Sequence, residues 1–171
     1  GYKTGNGGIA TTIIEKNKVK DYQEFLFELG IDYDLFEKEI DDTKYIFTKF
    51  PSGKEANFFS IMSKGTIALS LFFMWYMQMV DGIQFMFIDE FDSYFHHGVS
   101  RKLIEKLKKS PTQVILTTHN TANMSNSILR PDSYFTISNN NIANIAERSG
   151  REIRQAQNIE KMYRAGSFEN E

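Results

Sequence analysis

Three short clusters carry the side chains that could do chemistry. The first is Asp89-Glu90, two adjacent acids behind the apolar run Phe85-Met86-Phe87-Ile88. Paired carboxylates at a strand end suit a divalent cation and a water: the first acid holds Mg²⁺, often through water, and the second polarises an attacking water. The second is Ser63-Lys64-Gly65-Thr66, a small-residue loop ahead of a long apolar stretch. At a helix start it presents free N–H groups and the positive end of the helix dipole, which suits a phosphate. The third is His119, within Thr117-Thr118-His119-Asn120. Each has a plainer reading. Buried strands often end in an acid where the chain meets water. Ser-x-Gly-Thr is a common N-cap, and histidine fills many structural roles in loops. The order and spacing of the three argue for a joint site.

Periodicity sets the elements that must position them. Phe85 to Ile88 is a short continuous apolar run and reads as a strand buried on both faces, as in a parallel sheet. Its two acids then lie at the strand end, where open α/β sheets bind ligands. Val99 to Lys109 reads as a helix with Leu103, Ile104 and Leu107 on its core face, and Gln113 to Thr118 as a second buried strand. Strand, helix and strand at this spacing make a βαβ unit with a right-handed parallel crossover. His119 then ends the neighbouring strand, on the same sheet edge as Asp89 and Glu90. Ile67 to Val80 is apolar but interrupted by Ser70 and Gln78, and is shorter than the about 20 residues of a membrane span. It reads as a buried core helix.

Upstream, Val19, Tyr22, Phe25, Leu26 and Leu29 recur at helical spacing over Lys18 to Leu29, and Gly30 follows as a stop. Ile31 to Phe50 alternates as a strand, Pro51 to Lys54 is a turn, and Asn57 to Met62 a second strand, which together predict a hairpin. Gly53-Lys54 is no phosphate loop, for it lacks the upstream Gly and the following Ser/Thr of G-x-x-x-x-G-K-[ST]. Downstream, Ser133 to Ile137 and Ile142 to Ile145 are short strands around Asn139-Asn140-Asn141, and Glu152 to Ala165 is a closing helix. The expected organisation is an N-terminal helix and hairpin segment over 1–57 and a lobe over 58–171, in one compact domain.

Composition bounds the function. With 171 residues, 41% apolar and 25% charged, the chain suits one globular domain. A net charge of -2 gives no basic field, so charge does not point to nucleic acid. Cysteine is absent, which excludes disulfides, Cys-based zinc sites and thiol catalysis and fits a cytoplasmic protein. The Gly-rich start, Gly1 to Gly8, has no initiating Met and no signal peptide, and reads as a loop cut from a longer protein.

Taken together, these residues resemble the C-terminal half of ABC-type P-loop ATPases. Ser63-Lys64-Gly65-Thr66 is similar to their signature loop, Phe85 to Glu90 to Walker B, and Thr117 to Asn120 to the switch-histidine strand. Asp92-Ser93-Tyr94-Phe95-His96-His97 and the end, Asn158 to Phe168, are similar to the overcoming-lysogenization-defect and abortive-infection AAA-type group. The resemblance runs over about Phe58 to Phe168. Three departures stand out: His97 replaces the usual Pro, the signature loop lacks a second Gly, and no Walker A is present.

The resemblance implies a mostly parallel α/β sheet of the P-loop NTPase type with its Walker A lobe absent from this chain. It implies an ATPase acting as a homodimer that sandwiches two ATP molecules. Asp89 would hold Mg²⁺, Glu90 would be the general base and His119 would contact the γ-phosphate. Ser63, Gly65 and Thr66 would act in trans on the partner's ATP, and His96 would lie at the D-loop-like seam. A separate nuclease or toxin partner in phage defence is implied, with no membrane association, and the fragment alone would be inactive. Two other readings stay open at this point. One is a non-hydrolysing regulatory or dimerisation module. The other is a metal-dependent nuclease using Asp89, Glu90, Asp92 and His96.

Overall fold

The computed structural model describes residues 6–138, 140–150, 152–154 and 157–168. Backbone contacts gather the chain into two compact units, Gly1–Leu116 and Thr117–Glu171. The 57/58 boundary expected from sequence falls inside the first unit.

The first unit opens with helices α1 (Asn6–Glu15) and α2 (Val19–Glu28). The sequence reading assigned no element to α1. Its Gly7 and Gly8 and its β-branched Thr11 to Ile14 are poor helix formers, so burial of Ile9 and Ile13, one turn apart, is what holds it. The second helix matches expectation, with Val19, Tyr22, Phe25 and Leu26 buried and Gly30 at φ +90 closing it.

A three-stranded antiparallel sheet follows, β1 (Asp34–Ile40), β2 (Thr43–Lys49) and β3 (Glu55–Asn57), in that order. The alternating stretch expected as one strand over 31–50 is therefore a hairpin in itself. Its turn is Asp41-Asp42, both at positive φ (49 and 58), with Ile40 opposite Thr43. Two consecutive left-handed residues make the type I′ turn that matches strand twist, and Asp tolerates that conformation. The strand expected over 57–62 is also corrected. Asn57 accepts a hydrogen bond from the Phe59 N–H at 3.1 Å, and a helical turn, α3 (Phe58–Ile61), starts there. An Asn side chain that satisfies the next turn's N–H competes with a sheet ladder.

Helix α4 (Lys64–Val80) is the long apolar helix, with Leu69, Phe72, Phe73 and Met79 buried. Its apolar face receives Tyr22 of α2, whose ring lies 5.1 Å from Phe73. The Tyr22 hydroxyl meets the Ser70 hydroxyl, both residues being fully buried. Ser70 Oγ also bonds the Thr66 carbonyl at 2.8 Å, and a carbonyl can only accept, so Ser70 donates there and Tyr22 donates to Ser70. Burial pushes the Tyr22 phenol well above its ordinary pKa. Tyr22→Phe should cost about 1 kcal/mol in urea denaturation by removing the bond to Ser70 Oγ, which keeps its own bond to the Thr66 carbonyl. Adding Ser70→Ala should cost less than the sum of the two single changes, because the two hydroxyls share one bond.

Strands β4 (Phe85–Ile88) and β5 (Gln113–Leu116) pair in parallel, with helix α5 (His97–Leu107) between them in sequence. This is the expected βαβ order. The register runs from Phe85 opposite Gln113 to Ile88 opposite Leu116, so the strands end together. Burial on both faces is not met: Ile88 is 4% exposed, whereas Phe85, Phe87 and Ile115 are 53%, 55% and 45% exposed. Side chains alternate across a strand, so one face is covered and the other presents an apolar patch. Among the described residues this pair is the parallel part, beside antiparallel sheets of three and two strands. A mostly parallel sheet would need further strands at its edges and a second covering layer.

The second unit holds an antiparallel hairpin, β6 (Phe135–Ser138) and β7 (Asn141–Asn144), as expected, with Asn140 at φ +59 in its turn. Helix α6 (Ile145–Arg148) follows, started by the Asn144 side chain on the Ala146 N–H, and was not read from sequence. The closing helix α7 spans only Ile159–Arg164, shorter than the expected 152–165. Asn158 caps it by accepting from the Lys161 N–H at 2.8 Å. Ile145, Ile153, Ile159 and Phe168 form the core of this unit, with Met124, Tyr134 and Met162 packed on it. Among the described residues, no helix is long and apolar enough to cross a membrane.

Candidate functional site

The Ser63-Lys64-Gly65-Thr66 loop does open a helix. Ser63 Oγ accepts from the Thr66 N–H at 3.1 Å and shares a 2.9 Å bond with the Thr66 hydroxyl. That is an N-cap, as the plainer reading had it, and it fixes the first turn of α4. Gly65 allows a close approach. A Cβ there would lie 3.2 Å from the Tyr94 carbonyl oxygen, so the loop after β4 packs against the turn that opens α4.

Asp89 and Glu90 leave the end of β4 in a turn, both exposed. Glu90 sits at φ +46, a left-handed backbone unusual for a residue other than glycine. Such outliers persist where surrounding bonds over-determine them, and they gather at functional sites. Here the Ser93 N–H donates to the Glu90 carbonyl at 3.1 Å and the Ser93 hydroxyl donates to Glu90 Oε2 at 3.1 Å. Ser93 went unnoticed in the sequence. The signal was an Oγ-bearing residue three positions after the acid, the spacing at which a turn returns a hydroxyl to a side chain.

Beyond that turn the Phe95 N–H bonds the Asp92 carbonyl, and Asp92 is 8% exposed. His96 is exposed at the start of α5 with no capping side-chain bond, its ring 6.4 Å from that of His97. Gly98 makes room for it, since a Cβ there would lie 3.2 Å from the His96 imidazole. Among the described residues no group of three His, Cys, Asp or Glu could hold a metal, so the donor set a protein-built nuclease centre needs is not assembled. One exposed carboxylate at a strand end fits a different partner, a Mg²⁺ that keeps its waters and is carried by substrate phosphates. An open groove runs beside this strand, lined by Trp75, Gln78, Met86, Phe87, Ile88 and Asp89.

His119 lies in the second unit and is exposed. Its flanks are tied down locally. The Asn120 N–H donates to Thr118 Oγ1 at 2.9 Å, and Asn120 Oδ1 accepts from the Ala122 N–H at 3.1 Å to start a 3₁₀ turn over Thr121–Asn123.

Over residues 7–125 the sequence matches the family described as "AAA domain, putative AbiEii toxin, Type IV TA system". The match begins well ahead of Phe58, where the sequence reading placed the start of its resemblance, and stops short of the closing helix. Among solved structures, an SMC head domain from Thermotoga maritima is 23% identical, with 71% of this chain and 44% of that chain covered and a TM-score of 0.43. An Smc head domain with a coiled coil and joint derived from Pyrococcus yayanosii is 21% identical, with 66% and 26% covered and a TM-score of 0.43. This chain therefore spans less than half the length of either structure. No curated protein matches it. The family match takes in Ser63 to Thr66, Asp89, Glu90, His96 and His119 and covers more than half of the sequence, and the chain belongs to this AAA-domain family of P-loop ATPases, the abortive-infection type.

Proposed function

We propose that this chain is the signature-loop, Walker B and switch-histidine lobe of a dimerising ATPase whose nucleotide state controls an effector in phage defence or a DNA-related process. The observation that carries the reading is the end of β4. There Asp89 and Glu90 leave the strand together, with Glu90 in a left-handed turn and its carboxylate held by Ser93. A metal-holding acid followed by a fixed water-polarising acid is what phosphoryl transfer asks of this position.

In this reading Asp89 holds the Mg²⁺ that ATP brings, and Glu90 takes a proton from the attacking water. His119 meets the γ-phosphate. Ser63, Gly65 and Thr66 offer the opening turn of α4 to the ATP of a second copy, and His96 lies at the seam between the copies. ATP and Mg²⁺ are the cofactors, the homodimer is the working form and the cytoplasm is its location. A separate nuclease or toxin is the effector class.

Walker A is supplied by a lobe outside this sequence. The apolar face of Phe85, Phe87 and Ile115 supports that division, since a strand pair with one bare face suits an added layer. The test is direct. The full-length protein should turn over ATP with Mg²⁺ and form a dimer when ATP is added, read by phosphate release and light scattering. Residues 1–171 alone should show no turnover and no saturable ATP binding below about 1 mM by calorimetry. Turnover by the isolated chain would overturn the division into lobes. A full-length protein that neither binds nor hydrolyses ATP would overturn the function.

A further inference from the structure

The closing motif, Asn158 to Phe168, has so far no role, yet its helix reaches back to the His119 loop. Glu160 and Arg164 lie one turn apart on α7 and pair at 2.8 Å. Both also meet Thr121, two residues after His119: Thr121 Oγ1 donates to Glu160 Oε1 at 3.1 Å, and Arg164 Nη2 donates to Thr121 Oγ1 at 3.0 Å. The hydroxyl gives its one hydrogen to the carboxylate and takes one from the guanidinium, so the ring of three is closed and self-consistent. The helix that carries the grip is itself fixed, by the Asn158 cap and by fully buried Ile159 in the core of the unit.

The His119 loop is short and braced on both sides. Thr118 Oγ1 holds the Asn120 N–H, and Asn120 starts the 3₁₀ turn that contains Thr121. A displacement of Thr121 therefore moves the backbone that carries His119. The ion pair is partly exposed, with Arg164 67% and Glu160 28% open at their side chains, and such pairs near the surface add little to stability. Holding a loop in place is the better account of two side chains converging on one hydroxyl.

We propose that Thr121, Glu160 and Arg164 are positioning residues that set His119 for its contact with the γ-phosphate. This rests on the reading of His119 given above. The test uses the full-length protein and compares Thr121→Val, Thr121→Ser, Arg164→Lys and His119→Ala. Thr121→Val should lower kcat for ATP about tenfold, with KM within about twofold and Tm within about 3 °C. Thr121→Ser, which keeps the hydroxyl, should restore kcat. Arg164→Lys keeps the charge but loses the planar fork, and should fall between the two. In the His119→Ala background, Thr121→Val should add no further loss, because residues acting as one unit are not additive.

A Thr121→Val enzyme with unchanged kcat overturns the proposal. So does an equal loss of kcat in the His119→Ala background, since the hydroxyl would then act without the histidine. If His119→Ala alone leaves kcat unchanged, the γ-phosphate reading fails and the proposal falls with it. That result is distinct from the other two.

Discussion

Glu90→Gln in the full-length protein should lower ATP turnover at least about 100-fold and should accumulate an ATP-bound dimer. A positioned general base contributes about 10² to 10⁴ in rate, and Gln is the same size and uncharged. It removes the basic oxygen and little else. Its amide oxygen can still accept from the Ser93 hydroxyl, which lies 3.1 Å from Glu90 Oε2. The left-handed backbone at φ +46 is imposed by the turn and not by the charge. The geometry should therefore survive while the chemistry stops, and a dimer that cannot hydrolyse its ATP has no step to release it. Phosphate release and light scattering with ATP and Mg²⁺ read both effects. Unchanged turnover would remove Glu90 from its role. Lost turnover with no dimer would keep the base and remove the sandwich.

The residues of this prediction were legible before the fold was, because they depend on local rules. Four apolar residues running into two acids mark a strand end, and Ser63 ahead of a long apolar helix marks a cap; both need only near neighbours in sequence. The βαβ order of β4, α5 and β5 followed for the same reason. What the sequence hid depends on distant partners. Phe85 and Phe87 read as core, but a strand does not encode whether a layer covers each of its faces, and here one face is bare. The Asp41-Asp42 turn lacked the glycine that usually announces a type I′ hairpin, so two strands merged into one. Helix α1 contradicts its own propensity and exists through Ile9 and Ile13. Ser93 and Thr121 are common residues whose meaning appears only when a carboxylate is found beside them.

Phe58→Ala should give the largest loss of stability in the first unit, about 3–5 kcal/mol. A domain of this size has about 5–15 kcal/mol in all, so the loss should be plain in urea or thermal denaturation. Phe58 is fully buried where the antiparallel sheet turns into α3. Its ring lies edge-on to Tyr33 at 4.9 Å, to Phe59 at 5.9 Å and to Tyr22 at 6.1 Å. Truncation loses the transfer energy, leaves a cavity that three rings cannot easily close, and forfeits their edge-to-face contacts. Phe58→Leu keeps much of the volume and should recover more than half of the loss. The consequence reaches the site, because Tyr22 carries the hydroxyl that supports Ser70 and, through it, the Thr66 carbonyl in the first turn of α4. Hydrogen exchange at Thr66 to Ser70 should therefore quicken in Phe58→Ala ahead of global unfolding. Full protection at those amides, in a protein measurably less stable, would show that the aromatic cluster and the capped turn are independent, and that the cap of Ser63 on Thr66 holds by itself.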